Sequence, residues 1–126
     1  MIRILRGVIY ARYSSDNQRE ESIEGQIREN KVYAERNDIE IVNTYIDRAY
    51  SAKTTKRPAF QQMVKDSEKG LFDVIIVWKL DRFSRNRRDS VVYKALLEER
   101  GVQVLSATET LSRGKDRILT EAILEA

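Results

Sequence analysis

Neither cysteine nor histidine occurs in this chain of 126 residues. The first absence excludes disulfides and thiolate chemistry; the second excludes imidazole bases; together they remove nearly every zinc, copper or haem site. Any catalysis therefore rests on hydroxyls, carboxylates, amides, lysines and arginines. No apolar run approaches the roughly 20 residues of a membrane span, and Met1 leads into a charged, strand-like pattern instead of a signal peptide, so a cytoplasmic location without membrane contact is expected. Low-complexity tracts and internal repeats are also missing. With 41% hydrophobic and 34% charged residues, the chain is expected to fold as one domain over residues 1–126, with no room for a second.

A net charge of +3 is only mildly basic, and such a total says little about nucleic acid. Its distribution says more. Between Lys79 and Arg88 five cations (Lys79, Arg82, Arg85, Arg87 and Arg88) stand against the single anion Asp81.

Short-range patterns predict alternating strands and helices. A β-rich run at Leu5–Tyr10 ends in the polar stretch Ser14-Ser15-Asp16-Asn17. A helix is expected over about 22–37, with Ile23, Ile27 and Ala34 on one face. Next, Ile39, Ile41 and Tyr45 alternate with Glu40, Val42 and Thr44, as in a strand exposed on one side that stops near Asp47. After a polar, cationic loop from Ser51 to Arg57, Pro58 opens a second helix that Gly70 ends. Asp73 to Trp78 is apolar without alternation, the signature of a central parallel strand. A helix from about Asp89 to Arg100, with Val92, Ala95 and Leu96 inward and Gly101 as its stop, leads to a fourth strand at Val102–Leu105. Leu119–Ala126 begins a further helix, cut short by the chain end.

This order implies an α/β domain of three layers, with a mainly parallel sheet of four or five strands and helices on both faces. In such sheets ligands sit beyond the carboxyl ends of the strands. Three polar clusters fall there: Arg12, Ser14 and Gln18 after the first strand; Asp47 to Arg57 after the second; Asp81, Arg82 and Arg85 after the third. With strand two on the far side of strand one from strand three, Ser14 stands opposite the Asp-Arg-x-x-Arg group. Attack on a phosphodiester needs an oxygen nucleophile and fixed positive charge on the non-bridging oxygens, and guanidinium forks meet the second need without losing a proton.

Taken singly, each residue has an ordinary reading. Ser14 is a turn residue, Arg82 and Arg85 a solvated face, and Asp81 a helix cap. Gln18 and Gln26 are surface helix residues, and Asp47 is a loop acid paired with Arg48 or Lys53. The combination changes the balance. Tyr10-Ala11-Arg12-Tyr13-Ser14, then Ser22-Ile23-Glu24-Gly25-Gln26, Arg57-Pro58 and Lys79-Leu80-Asp81-Arg82-Phe83-Ser84-Arg85 resemble, over nearly the whole chain, the resolvase/invertase family of serine site-specific recombinases. Additional residues between Gln18 and Ser22, with Ser-Ile-Glu-Gly-Gln, point toward the large phage-integrase and transposon branch; Tyr13 departs from the small aliphatic residue common before the serine.

The resemblance implies a fold, a chemistry and roles. Ser14 is the nucleophile, with Ser15 as its rival. Arg12, Arg57, Arg82 and Arg85 bind phosphate, Asp81 holds those arginines, and Gln26 is the active-site glutamine. Gln18, Asp47 and Lys79 are the further DNA- or phosphate-binding candidates. It implies cleavage through a 5′-phosphoserine link, religation after strand exchange, and no metal, ATP or other cofactor. DNA and further copies of the chain are the implied partners, in a bacterial or phage-encoded protein. It also implies that this is a catalytic fragment with its C-terminal helix truncated and its DNA-binding domain absent. Two other classes remain open: a metal-dependent nuclease or phosphatase using Asp47, Asp73 and Asp81, and a non-enzymatic receiver-like domain.

Overall fold

The computed structural model describes residues 4–13, 22–48, 57–84 and 87–109. Ser14, Gln18 and Arg85 fall outside them, as does the helix expected at 119–126.

Strands β1 (Leu5–Tyr13), β2 (Ile39–Arg48), β3 (Val74–Val77) and β4 (Gln103–Ser106) form a parallel sheet in the order β2-β1-β3-β4. Strands one and three are thus neighbours, with strand two on the far side of strand one, as the site hypothesis required. Helix α1 (Ile23–Arg36) covers one face, where Ala34 packs with Ile39, Val74 and Ile76. Helices α2 (Pro58–Asp66) and α4 (Arg87–Glu99) cover the other, where Phe60, Met63, Val64 and Leu97 meet Val8, Tyr10, Ile75 and Val77. The sheet is four-stranded among the described residues, and β3 is buried along its whole length, as its unbroken apolar sequence suggests. Gly101 adopts φ 78° after α4. Its N–H donates to Glu98 O while that of Val102 donates to Leu97 O, the paired closure for which a left-handed glycine is suited.

Four expectations need correction. Strand β1 runs three residues beyond Tyr10, because Ala11, Arg12 and Tyr13 continue to pair with Ile46, Asp47 and Arg48. Strand β2 does not keep one face inward: Gly7 pairs with Ile41 but Val8 with Asn43. The extra residue, Val42, shifts the two-residue period by one. Ile39 and Ile41 therefore join the α1 face, while Tyr45 joins the α2 face. In α4, Val91 and Val92 are 62% and 59% exposed and Ala95 is exposed, whereas Leu97 is fully buried beside Tyr93 and Leu96. Tyr93 turns this face inward by meeting Phe60 edge-on at 5.0 Å. The α1 stripe also differs from expectation, since Gln26 and Asn30 are fully buried and Ile27 is half-buried.

The shifted face of β2 makes a contact with a testable pH dependence. Tyr45 donates its hydroxyl to Asp66 Oδ2 at 2.7 Å, tying β2 to the end of α2. Burial, and then the neighbouring carboxylate, push its phenol up to about 12 from 10.0. Folding therefore favours the protonated phenol; the contribution is complete below the unfolded value and disappears as pH climbs through the folded one. Tyr45→Phe is expected to cost about 1 kcal/mol at neutral pH and to flatten the alkaline limb of urea midpoint against pH. An alkaline limb identical to that of the native chain would assign it to another group.

Candidate active site

The carboxyl edge of the sheet holds three buried guanidinium groups. Arg12, near the end of β1, is fully buried; Arg57, immediately before α2, is 3% exposed; Arg82, in the single-turn helix α3 (Leu80–Phe83) that follows β3, is 2% exposed. Buried cations are costly unless partnered, so three at one sheet edge mark it as a place built to hold charge.

Aromatic rings hold two of them. Arg57 lies over Phe60, with Cζ 3.9 Å from the ring centroid, and 5.9 Å from that of Tyr10, while Nη1 donates to Phe83 O at 2.8 Å. Its Nε is buried with no hydrogen-bond partner among the described residues. Arg82 lies 5.3 Å from the Trp78 ring, which Lys79 Nζ also approaches to 4.9 Å. Cation–π contacts attract the guanidinium through its face and leave its N–H donors to be directed in its own plane.

Asp47 and Gln26 act on the backbone around these cations. The β2 shift places Asp47 beside Arg12, on the α2 face. There Oδ2 accepts from Tyr10 OH at 2.8 Å and Phe60 N–H at 3.0 Å, and Oδ1 from Ala59 N–H at 2.9 Å. Asp47 thus caps α2, whose own cap residue Arg57 makes no side-chain cap bond. The sequence grouped Asp47 with the DNA-contacting candidates; the structure turns both its oxygens inward. Burial pushes the Tyr10 phenol far above the ordinary tyrosine range, with Arg57 opposing and the Asp47 carboxylate adding to the rise.

Strand β3 pairs with β1 only as far as Tyr10. Beyond it, the Gln26 amide donates to Arg12 O at 3.0 Å and accepts from Arg12 N–H at 3.3 Å, meeting both backbone groups as a neighbouring strand would. Gln26 therefore orients the chain two residues before Ser14. Ser14, Gln18 and Arg85 lie outside the described residues, and for Asp81 only the backbone, within α3, is described. Sequence reasoning missed Tyr10 and Phe60 as supports; the only signal was Tyr10's place at the head of the motif.

No cluster of three acidic residues able to hold a metal occurs among the described residues. The Asp47/Asp73/Asp81 triad fails on register. Asp73 binds the Arg6 backbone and side chain at the amino end of the sheet, while Asp47 lies level with Arg12. Six residues of strand separate those levels, about 20 Å. No helix among the described residues is long and apolar enough to cross a membrane.

Comparison with known proteins decides the family, since the model of the resolvase N-terminal domain matches residues 7–125. The chain belongs to the resolvase family. Its fold is that of serine recombinase catalytic domains: it resembles the N-terminal catalytic domain of TP901-1 integrase with a TM-score of 0.74 and 30% identity, covering 94% of this chain and 92% of that one. The C-terminal catalytic domain of ISC1926 TnpA, an IS607-like serine recombinase, gives 0.74 at 29% identity over 92% and 79%. Among curated resolvase-family relatives, a DNA-invertase of Enterobacteria phage P7 is 36% identical over 61 residues, 48% of this chain and 32% of that protein. The transposon Tn552 resolvase of Staphylococcus aureus is 35% identical over 65 residues, 52% of this chain and 32% of the relative. The chain thus spans about a third of the length of the curated relatives it matches. The family assignment leaves the nuclease and receiver readings without support.

Proposed function

We propose that the chain is the catalytic domain of a site-specific DNA recombinase that breaks and rejoins strands through Ser14. The Ser14 Oγ attacks the scissile phosphorus; the new Oγ–P bond replaces the P–O3′ bond, leaving a 5′-phosphoserine and a 3′-hydroxyl that carries the proton. The reverse attack by a 3′-hydroxyl rejoins the strands, so the phosphoester bond is conserved. The observation that carries this reading is the set of three buried arginines at one sheet edge, with Ser14 two residues beyond Arg12.

Arg12, Arg57 and Arg82, joined by Arg85, neutralise the non-bridging oxygens as charge builds in the transition state; each such contact is worth about 3 kcal/mol. Lys79 and Gln18 contact the flanking backbone, and Asp81 orients the arginines beside it. Asp47 and Gln26 position the site from within. Site recognition comes from sequence outside residues 1–126, and strand exchange requires several copies, acting on DNA in a bacterial cytoplasm. The near-complete overlap with the TP901-1 integrase catalytic domain favours the integrase and transposon branch.

The test uses the protein in its full native sequence with labelled duplex fragments tiling the DNA that flanks its gene. A protein–DNA adduct surviving denaturing electrophoresis without added metal, and lost in Ser14→Ala, is the expected result. Metal-dependent cleavage with no adduct on any fragment would replace this reading with hydrolysis.

A further inference from the structure

Helix α3 is a single turn of four residues. A helix so short is unstable alone and takes its orientation from its surroundings. Its cap residue, Lys79, makes no side-chain cap bond. The first amide of the helix, Leu80 N–H, instead donates to Glu109 Oε1 at 2.8 Å, 29 residues further along the chain. The same oxygen accepts from Ser106 Oγ at 3.0 Å, and Glu109 N–H returns a bond to that hydroxyl at 3.2 Å. Ser106 is buried at the end of β4, so the carboxylate stands on a fixed base.

The neighbouring residues extend this attachment. Ala107 N–H donates to Val77 O at 2.8 Å. Thr108 donates to Trp78 O twice, from N–H at 3.2 Å and from Oγ1 at 2.7 Å. Residues 107–109 therefore continue the β3–β4 pairing past Val77 and onto the first turn of α3. Among the supports of Arg82 are the helix that carries its backbone and the Trp78 ring beneath its guanidinium; Glu109 bonds the first amide of that helix and Thr108 the Trp78 carbonyl.

We infer that Glu109 is a positioning residue for Arg82, fixing its guanidinium by capping α3 from the end of β4. This deepens the recombinase reading and rests on it for its catalytic consequence, although the cap itself can be measured without DNA. Loss of a charge-assisted hydrogen bond at a partly buried amide is expected to slow adduct formation about ten- to thirtyfold in Glu109→Ala, with unchanged DNA binding. Glu109→Gln keeps a carbonyl oxygen for Leu80 N–H and is expected to stay within about threefold of the native rate.

Double substitution separates positioning from general weakening. On an Arg82→Lys background, Glu109→Ala is expected to slow the reaction little further, because the group it positions is already gone. Amide exchange at Leu80 is expected to quicken at least about tenfold in Glu109→Ala and little in Glu109→Gln. Equal losses in the Ala and Gln variants, multiplicative losses on Arg82→Lys, or unchanged Leu80 exchange would each overturn the inference. Should Glu109→Ala fail to fold, Thr108→Val removes only the hydroxyl bond to Trp78; a rate about threefold lower supports the inference and an unaltered one opposes it. Absence of adduct from the native protein on every fragment would count against the recombinase reading, and Leu80 exchange would still judge the cap.

Discussion

Ser14→Ala is expected to abolish the covalent protein–DNA adduct, lowering strand cleavage by at least about a thousandfold while the chain still folds. The expectation follows from what a nucleophile does: removing the attacking oxygen leaves only binding and electrostatic stabilisation, which have nothing to act upon without it. Ser15 is the alternative source of that oxygen. The two are adjacent, so only one follows Arg12 by two residues, and the backbone of Arg12 is clamped by Gln26. Ser15→Ala is accordingly expected to retain the adduct. Persistence of the adduct in Ser14→Ala with its loss in Ser15→Ala would transfer the nucleophile by one residue, leaving the arginine site intact.

The second large effect concerns stability. Asp47→Ala is expected to destabilise the domain by about 3–5 kcal/mol in urea unfolding, the scale of removing one member of a buried charged network. Three donors lose their acceptor at once: Tyr10 OH, Ala59 N–H and Phe60 N–H. Water cannot readily replace it, because Tyr10 and Phe60 are fully buried. Asp47→Asn retains one carbonyl oxygen and is expected to recover about half of the loss. The loss also reaches the candidate site, since Phe60 carries the Arg57 guanidinium on its ring. A change below about 1 kcal/mol in Asp47→Ala would refute the capping role.

Much of the architecture was legible in short windows of sequence. The unbroken apolar run before Trp78 marked a strand buried on both faces, Pro58 marked a helix start and Gly101 a stop, whereas α2 ends at Asp66 and Gly70 closes the 3-10 turn Ser67–Lys69 that follows it. The alternation of strands and helices implied a parallel sheet, and its carboxyl edge was the place to look for chemistry. Of the arginines legible there as a set, Arg12, Arg57, Arg82 and Arg85, the structure buries the first three at that edge, and Arg85 lies outside the described residues.

Other features could not be read because they depend on pairing between distant segments. Ile39, Ile41 and Tyr45 look like one face of one strand; only the register against β1, with Val42 as the extra residue, sends Tyr45 and Asp47 to the α2 side. The inward face of α1 was hidden because Gln26 and Asn30, polar by composition, occupy core positions. Gln26 does so because β3 stops pairing with β1 at Tyr10 and leaves backbone groups for its amide. Glu109 had no motif at all, since its partner is an amide at the start of a helix 29 residues earlier.

By itself the sequence determined the fold class, the family and the kinds of group available for chemistry, because periodicity, glycine and proline positions and side-chain identity are local properties. Which of those groups stand on the same face, and which backbone amide each carboxylate serves, was decided only in the folded chain. Strand register and crossover geometry set those contacts, and a single inserted residue in β2 is enough to move Asp47 from one side of the sheet to the other.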